Sequence, residues 1–261
     1  SNVLLNPVVV KVENEEKVHI KQEFYYIDEE NKTAFIPALI SSNKAKSILI
    51  FCNMKIKCDK LADDLYALGL DVLTLHSDLE QKQRDETIIL FSNKSYPILI
   101  ATDVASRGLH IDDVDLVINY DLSLDEKIHT HRIGRTARAG KGGLAISLYT
   151  QNDFDRVEII KETFSDIEDK SIDSVEDDLS YKIDSELRTI FINGGKKQKL
   201  RAGDILGALT AGIGLQKDDI GKIDILDFAS YVAINKEKIS FVLEKLSKEK
   251  IKGKYYRIYE K

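Results

Sequence analysis

The stretch HTHRIGRTARAG, residues 129–140, sets Arg132, Arg135 and Arg138 three residues apart, with the small residues Gly134 and Ala137 between them. No carboxylate lies inside it. A guanidinium is planar, permanently charged and matched to phosphate oxygens. Such groups at the rim of a cleft suit the stabilisation of a transferring phosphoryl group. On a helix the three recur at i, i+3 and i+6, on adjacent faces. A solvated basic helix end is the plainer alternative. Two other stretches bear on the choice. In LIATDVASRGLHIDD an apolar run ends in Thr102-Asp103 and then turns through Arg107-Gly108. Thr102 is placed to contact a phosphate, Asp103 to hold a loop or an arginine, and Gly108 to let a backbone approach closely. His76-Ser77-Asp78 follows an apolar run in the same way, and Gln81-Lys82-Gln83-Arg84 opens a helical pattern whose first N–H groups favour anions.

These residues need a scaffold, and the apolar pattern supplies one. Residues 47–51, 72–75, 98–101, 116–119 and 144–148 read as buried strands. Between and after them, 55–68, 81–91, 125–138 and 153–164 carry helical spacing. Strands and helices in alternation imply a parallel sheet covered on both faces, with ligands at the carboxyl ends of its strands. Residues 1–165 are expected to form this unit. Residues 166–185 are acidic and poor in apolar clusters, and read as a linker, with a docked segment left open. Residues 186–261 restart as βαββαβ, the plan of a small α+β domain of the ferredoxin-like or RNA-recognition type.

The chain of 261 residues carries a net charge of −6, and its two halves differ. From Glu186 onward, 16 Lys+Arg stand against 10 Asp+Glu, a net of +6; the remainder holds 22 against 34, a net of −12. A basic tail on an acidic body points to a polyanion at one end only. Cys52 and Cys58 make neither a disulfide framework nor a zinc set, so no metal site is expected and a reducing cytosol is. No apolar run approaches the roughly 18 residues of a membrane span, and the N-terminus carries no signal-peptide pattern.

In order and spacing, these stretches resemble the second RecA-like domain of the DEAD-box RNA helicases. SILIFCN is similar to that family's motif IV, the helix with Gln81 and Arg84 to motif IVa, ATDVASRGL to motif V, and HRIGRTARAG to motif VI. The resemblance covers residues 6–162. It implies that Arg107, His110, Arg135 and Arg138 face ATP, with Arg138 as the arginine finger. It implies that His131 couples nucleotide to RNA, that Gln81, Arg84, Thr102 and Gly108 lie along the RNA backbone, and that Asp103 belongs to the interdomain network. Motif V usually closes on Asp, and here that position is His110, which either donates to the ribose or faces water. The chain holds no G-x-x-x-x-G-K-[ST] and no Asp-Glu-Ala-Asp. Phosphates and magnesium would therefore be cradled elsewhere. The implied arrangement is the C-terminal portion of a longer helicase, inactive alone, with ATP and Mg²⁺ held mainly by the first RecA-like domain in cis.

In the tail, NGGKKQKLR places Lys196, Lys197, Lys199 and Arg201 beside a turn and ahead of a helix start, both favourable to phosphate. A solvated loop is the alternative. Phe191 and Tyr231 are either stacking platforms, worth about 1–3 kcal/mol per base, or ordinary packing aromatics. INGGKKQKLRAGDILGAL, DIGKIDI and KIKGK resemble the C-terminal RNA-binding domain of the DbpA helicases over residues 189–261. That resemblance implies binding to a hairpin of large-subunit ribosomal RNA and a role in ribosome assembly. It points to a monomer of the bacterial cytoplasm without membrane attachment, and adds Lys222, Lys252 and Lys254 to the RNA contacts. The competing readings are an RNA-binding module without catalysis, a tail that binds protein, and a DNA helicase of the wider superfamily.

Overall fold

A computed structural model describes residues 20–106, 111, 113–136 and 142–261. In chain order the elements are β1 (Ile20–Tyr26), α1 (Lys32–Asn43), β2 (Ile48–Phe51), α2 (Lys55–Ala67), β3 (Val72–Leu75), α3 (Gln81–Ser92), β4 (Ile98–Ala101), α4 (Asp103–Ser106), β5 (Leu116–Asn119), α5 (Glu126–Ile133), β6 (Gly143–Tyr149), α6 (Phe154–Thr163) and β7 (Ile167–Lys170). They are followed by β8 (Leu187–Ile192), α7 (Ala202–Gly207), β9 (Ile220–Ile225), β10 (Ser230–Asn235), α8 (Ile239–Leu246) and β11 (Ile258–Glu260).

The first seven strands form one parallel sheet in the order β3-β4-β2-β5-β6-β1-β7. Strand side chains alternate between faces, and this divides the central strands cleanly. Ile48 and Ile50, Ile98 and Ile100, and Leu116 and Ile118 face α1 and α2, meeting Ile36, Leu39, Leu61 and Leu65. Leu49 and Phe51, Leu99 and Ala101, and Val117 face the other way, toward Phe91 of α3 and Ile133 of α5. The sheet is apolar on both faces because both are covered, which is why its strands read as unbroken apolar runs.

The 166–185 segment departs from a free linker. Residues 167–170 pair with β1 as the sheet's edge strand. Val175, Tyr181 and Ile183 then pack on the core beneath α1 and α2. Tyr181 donates to the Ala45 carbonyl at 2.8 Å, and Ser41 to Asp177 at 2.6 Å. Acidic side chains face water here while widely spaced apolar ones anchor the segment.

The tail forms an antiparallel sheet in the order β11-β8-β10-β9. Ile190, Ile192, Val232 and Ile234 point to one face, where Ile205 of α7 and Val242 and Leu246 of α8 close the core. The opposite face, with Thr189, Phe191 and Tyr231, lies against α3 and the turn after it.

Candidate functional site

The carboxyl edge of the large sheet is organised by one buried arginine. Helix α5 starts where Asp125 accepts from the Ile128 amide at 2.8 Å, a side-chain cap. Two turns on, Arg132 points back under the edge and is 1% exposed. Its Nε and Nη2 reach the two carboxylate oxygens of Asp103, each at 2.7 Å. Nη2 also donates to Asn53 Oδ1 at 2.7 Å, and Nη1 to the Asp121 carbonyl at 2.7 Å and to Asn119 at 3.3 Å. The guanidinium lies over the Phe51 ring, 5.1 Å from its centroid. The three arginines are thus not equivalent. Arg132 is closed into an ion pair and serves as a clamp on the strand ends, and Asp103 takes the arginine-holding role.

Arg135 and His131 stand above this clamp. Both line a small depression with Asp103, Ser106 and Ile128. His131 is exposed and Arg135 partly so. The Arg135 Nε donates to the His131 carbonyl at 3.3 Å. Immediately after it, Thr136 is pinned by donation to the Val114 carbonyl at 2.7 Å. It packs so tightly on Gly143 that a Cβ there would lie 2.5 Å from the Thr136 carbonyl oxygen. The turn after α5 that carries Arg135 is therefore held from both sides. Arg107, Gly108, His110 and Arg138 lie outside the described residues.

Thr102 is buried at the end of β4, its amide donating to the Leu75 carbonyl at 3.1 Å. Gln81 is exposed at the start of α3 and donates to Asp85 at 2.7 Å. Arg84, on the same helix, donates to the Ala105 carbonyl and so ties α3 to α4. Thr102, Asp103, Arg84, His131 and Arg135 share this edge. Asn53, Asn119 and Asp121 complete it and were not singled out from the sequence; their signal is a polar residue at or just beyond the end of an apolar strand, as in SILIFCN and LVINYD.

His129 lies on the inner side of α5, fully buried. Its Nε2 is 2.8 Å from Gln22 Oε1 and its Nδ1 3.3 Å from Ser123 Oγ. Burial, helped by the Arg132 charge, lowers its pKa to about 4. An unfolded histidine titrates near pH 6.5, so below that pH the unfolded chain takes up a proton that the native fold refuses. The His129 contribution to stability is full above about pH 6.5 and is lost as pH falls toward 4, by about 2–3 kcal/mol at pH 4.5. Urea unfolding at pH 7.5 and 4.5 should show this loss in the native chain and a smaller one in His129→Phe. Equal losses in both would place the acid sensitivity in other groups.

In the tail, the turn after β8 carries Lys196, Lys197, Lys199 and Arg201, all exposed. It is braced by the β9–β10 turn. The Lys196 and Lys197 amides donate to the Leu226 and Asp227 carbonyls at 2.9 Å, and a Cβ at Gly195 would meet the Leu226 oxygen at 2.2 Å. Only glycine allows that approach. Lys252 spans from the neighbouring 251–254 turn to the Lys199 carbonyl at 2.6 Å and to Asp204 at 2.9 Å. This ammonium holds the Asp204 carboxyl below its ordinary range. Lys254 is exposed on the same turn. One edge of the tail thus gathers six of the cations named from the sequence. Lys222 is not among them: it lies on β9, 3.2 Å from Ser92 of α3 and 3.0 Å from Asp224. Tyr231 is 1% exposed and Phe191 7%, both covered by Ile89. Neither presents a face to a base, which corrects the stacking expectation for Tyr231. The aromatics that are open near the basic edge are Phe228, in the bracing turn, and Tyr255, beside Lys254, each 64% exposed.

Comparison with known proteins bears on both units. Residues 31–140 match the family described as helicase conserved C-terminal domain. Escherichia coli DEAD-box protein SrmB, solved bound to regulator of ribonuclease activity A, superposes with a TM-score of 0.57 at 31% identity, covering 64% of this chain and 99% of that one. The C-terminal domain of the DEAD-box protein Dbp5 gives a TM-score of 0.55 at 33% identity, covering 59% and 92%. The chain belongs to the DEAD-box family. Within that family its tail is of the DbpA type, since residues 189–260 match the DbpA RNA binding domain. The ATP-dependent RNA helicase DbpA of Escherichia coli (strain K12) is 39% identical over 254 residues, 97% of this chain and 55% of that protein. DbpA of Bacillus subtilis (strain 168) is 34% identical over 261 residues, 92% of this chain and 54% of that protein. This DEAD-box chain therefore spans about half the length of these relatives. Among its described residues, no helix is long and apolar enough to cross a membrane.

Proposed function

We propose that this chain is the cleft-closing and RNA-gripping half of an ATP-dependent RNA helicase that acts on structured ribosomal RNA during large-subunit assembly. The observation that carries the reading is the Arg132–Asp103 clamp. It fixes the end of α5 and the start of α4 to one sheet edge, in a chain that also carries a basic RNA-binding tail. The donor set fits one side of a nucleotide. It offers cations for phosphate oxygens, while no group of three His, Cys, Asp or Glu among the described residues could hold a metal. ATP and Mg²⁺ would be held by a first RecA-like domain in the longer protein. When the two lobes close, Arg135 and Arg138 meet the phosphates, with Arg138 as the finger and His131 relaying closure to the RNA side. Gln81, Arg84, Thr102 and Gly108 grip the backbone of one strand and bend it, which separates a short duplex locally.

The tail supplies the address. Lys196, Lys197, Lys199, Arg201, Lys252 and Lys254 converge on one edge and neutralise phosphates of a folded RNA, with Phe228 and Tyr255 offering ring faces beside them. Binding of a ribosomal RNA hairpin to this chain, measured at two salt concentrations against an unrelated hairpin, tests the reading. Reversal of Lys196, Lys197 and Lys199 to glutamate should weaken binding strongly and flatten the salt dependence by roughly two to three units of slope, at about 0.7–0.9 per phosphate. An unchanged slope would remove this turn from the RNA interface and favour a tail that binds protein.

A further inference from the structure

The basic turn of the tail is gripped between two others. Gly195 has extended backbone, φ −152° and ψ −152°, and a Cβ on it would also meet the Asp227 carbonyl oxygen and the Ala229 amide, each at 2.8 Å. A Cβ on Gly194, its neighbour, would instead run into the Tyr256 ring. The 226–229 turn that braces Gly195 is tight, closed by the Leu226 amide donating to the Ala229 carbonyl at 2.8 Å, with Asp227 and Phe228 at its centre. Turn chemistry favours aspartate there and gives no reason for phenylalanine. Nor does burial: the Phe228 ring is 64% exposed, and among the described residues no other ring or cation lies against it. Tyr255, equally exposed on the other bracing segment, already has the Lys250 ammonium 5.4 Å from its ring centroid. Phe228 is the freer of the two platforms.

Charge sorts what can reach this ring. Phosphates are drawn to Lys196 and Lys197, whose amides hold the Phe228 turn. At the tip itself stands the exposed Asp227 carboxylate, which repels a phosphate. An uncharged planar group tethered to a phosphate satisfies both conditions, and a nucleotide base is such a group. A base within a duplex keeps its faces stacked on its neighbours, whereas an unpaired one offers them to an aromatic side chain. We propose that Phe228 is the stacking site for one unpaired base of the RNA held on the basic turn, and that through it the tail distinguishes a stem-loop from a plain duplex. The identity of the RNA rests on the proposed function; the stacking site rests on the turn. Stacking releases no counterions, so its share of the affinity does not fall with salt as that of the lysines does.

The test measures affinity of the 261-residue chain at two salt concentrations. The probes are the tightest-binding stem-loop of a large-subunit ribosomal RNA set and a fully paired duplex with the same number of phosphates. Phe228→Leu should melt like the native chain, because the ring it replaces is exposed. It should bind the stem-loop about tenfold more weakly at both salt concentrations, with the salt slope unchanged. Its affinity for the duplex should equal the native one, and Phe228→Trp should bind the stem-loop within about twofold of native. Abasic replacement of loop nucleotides, one at a time, should find a position that costs the native chain about tenfold and Phe228→Leu nothing further. Native-like stem-loop affinity in Phe228→Leu, or an equal loss on the duplex, overturns the stacking site. If the native chain binds no ribosomal stem-loop, the proposed function fails, and oligoadenylate then decides the site separately. Weaker oligoadenylate binding by Phe228→Leu keeps the stacking site, and equal binding overturns it as well.

Discussion

Replacing Arg132 with alanine is expected to destabilise the large-sheet unit by about 3–5 kcal/mol, the usual consequence of stranding one partner of a buried ion pair. The substitution leaves the Asp103 carboxylate, 16% exposed, without its counter-charge. It also takes a donor from Asn53, Asn119 and the Asp121 carbonyl at once. A unit of this size should melt on the order of 10 °C lower. Arg132→Lys should recover little, because an ammonium has no fork that spans both Asp103 oxygens while also serving Asn53 and Asp121. Asp103→Asn should cost less than Arg132→Ala, since an amide oxygen still accepts one of the two bonds. Thermal unfolding followed by circular dichroism measures all three. An Arg132→Ala protein that melts within a degree or two of the native one would mean that the clamp contributes nothing net to stability.

The same clamp shows what could be read in advance. Ile48 to Phe51 and Ile98 to Ala101 were legible as buried strands because every side chain is apolar and both faces are covered. The basic turn at Lys196 was legible because its cations are consecutive and the turn chemistry is local. The sorting of the arginines was not, because the partner that neutralises Arg132 lies 29 residues upstream in sequence. Spacing within HTHRIGRTARAG treats Arg132 and Arg135 alike; only the closing of the sheet sends one inward and leaves the other at the rim. The acidic segment after Ser165, read as a linker with a docked segment left open, was hard to settle for a related reason. Its strand is an edge strand, and its anchors, Val175, Tyr181 and Ile183, are spaced too irregularly for either period to register. Tyr231 failed as a stacking surface because what covers it comes from α3, some 145 residues away. Local pattern carries elements and loops, and long-range pairing decides which side chains remain available.

Arg138→Ala in the longer helicase is expected to lower RNA-stimulated ATP hydrolysis by about 10³–10⁵, the range for loss of an arginine finger. The proposed function assigns Arg138 to the phosphates, and Arg135 gives that assignment its physical support. The Arg135 backbone is fixed by its amide's bond to the Arg132 carbonyl at 3.1 Å and by Thr136 under β6, at the rim of the depression that Asp103 also lines. A cation carried on a backbone fixed before the nucleotide arrives needs less reorganisation as charge develops, which is where such a group gains its effect. Arg135→Ala should therefore also lose most of the rate, and lysine at either position should restore little, since a point charge lacks the planar fork. Both alanine variants should melt like the native protein and bind hairpin RNA through the tail as before. That pattern separates them from Arg132→Ala, which should lose rate and stability together. Native-rate hydrolysis by Arg138→Ala, measured alongside a native-like melt, would contradict the finger assignment and leave the chain an RNA-binding lobe whose rim arginines serve some other anion.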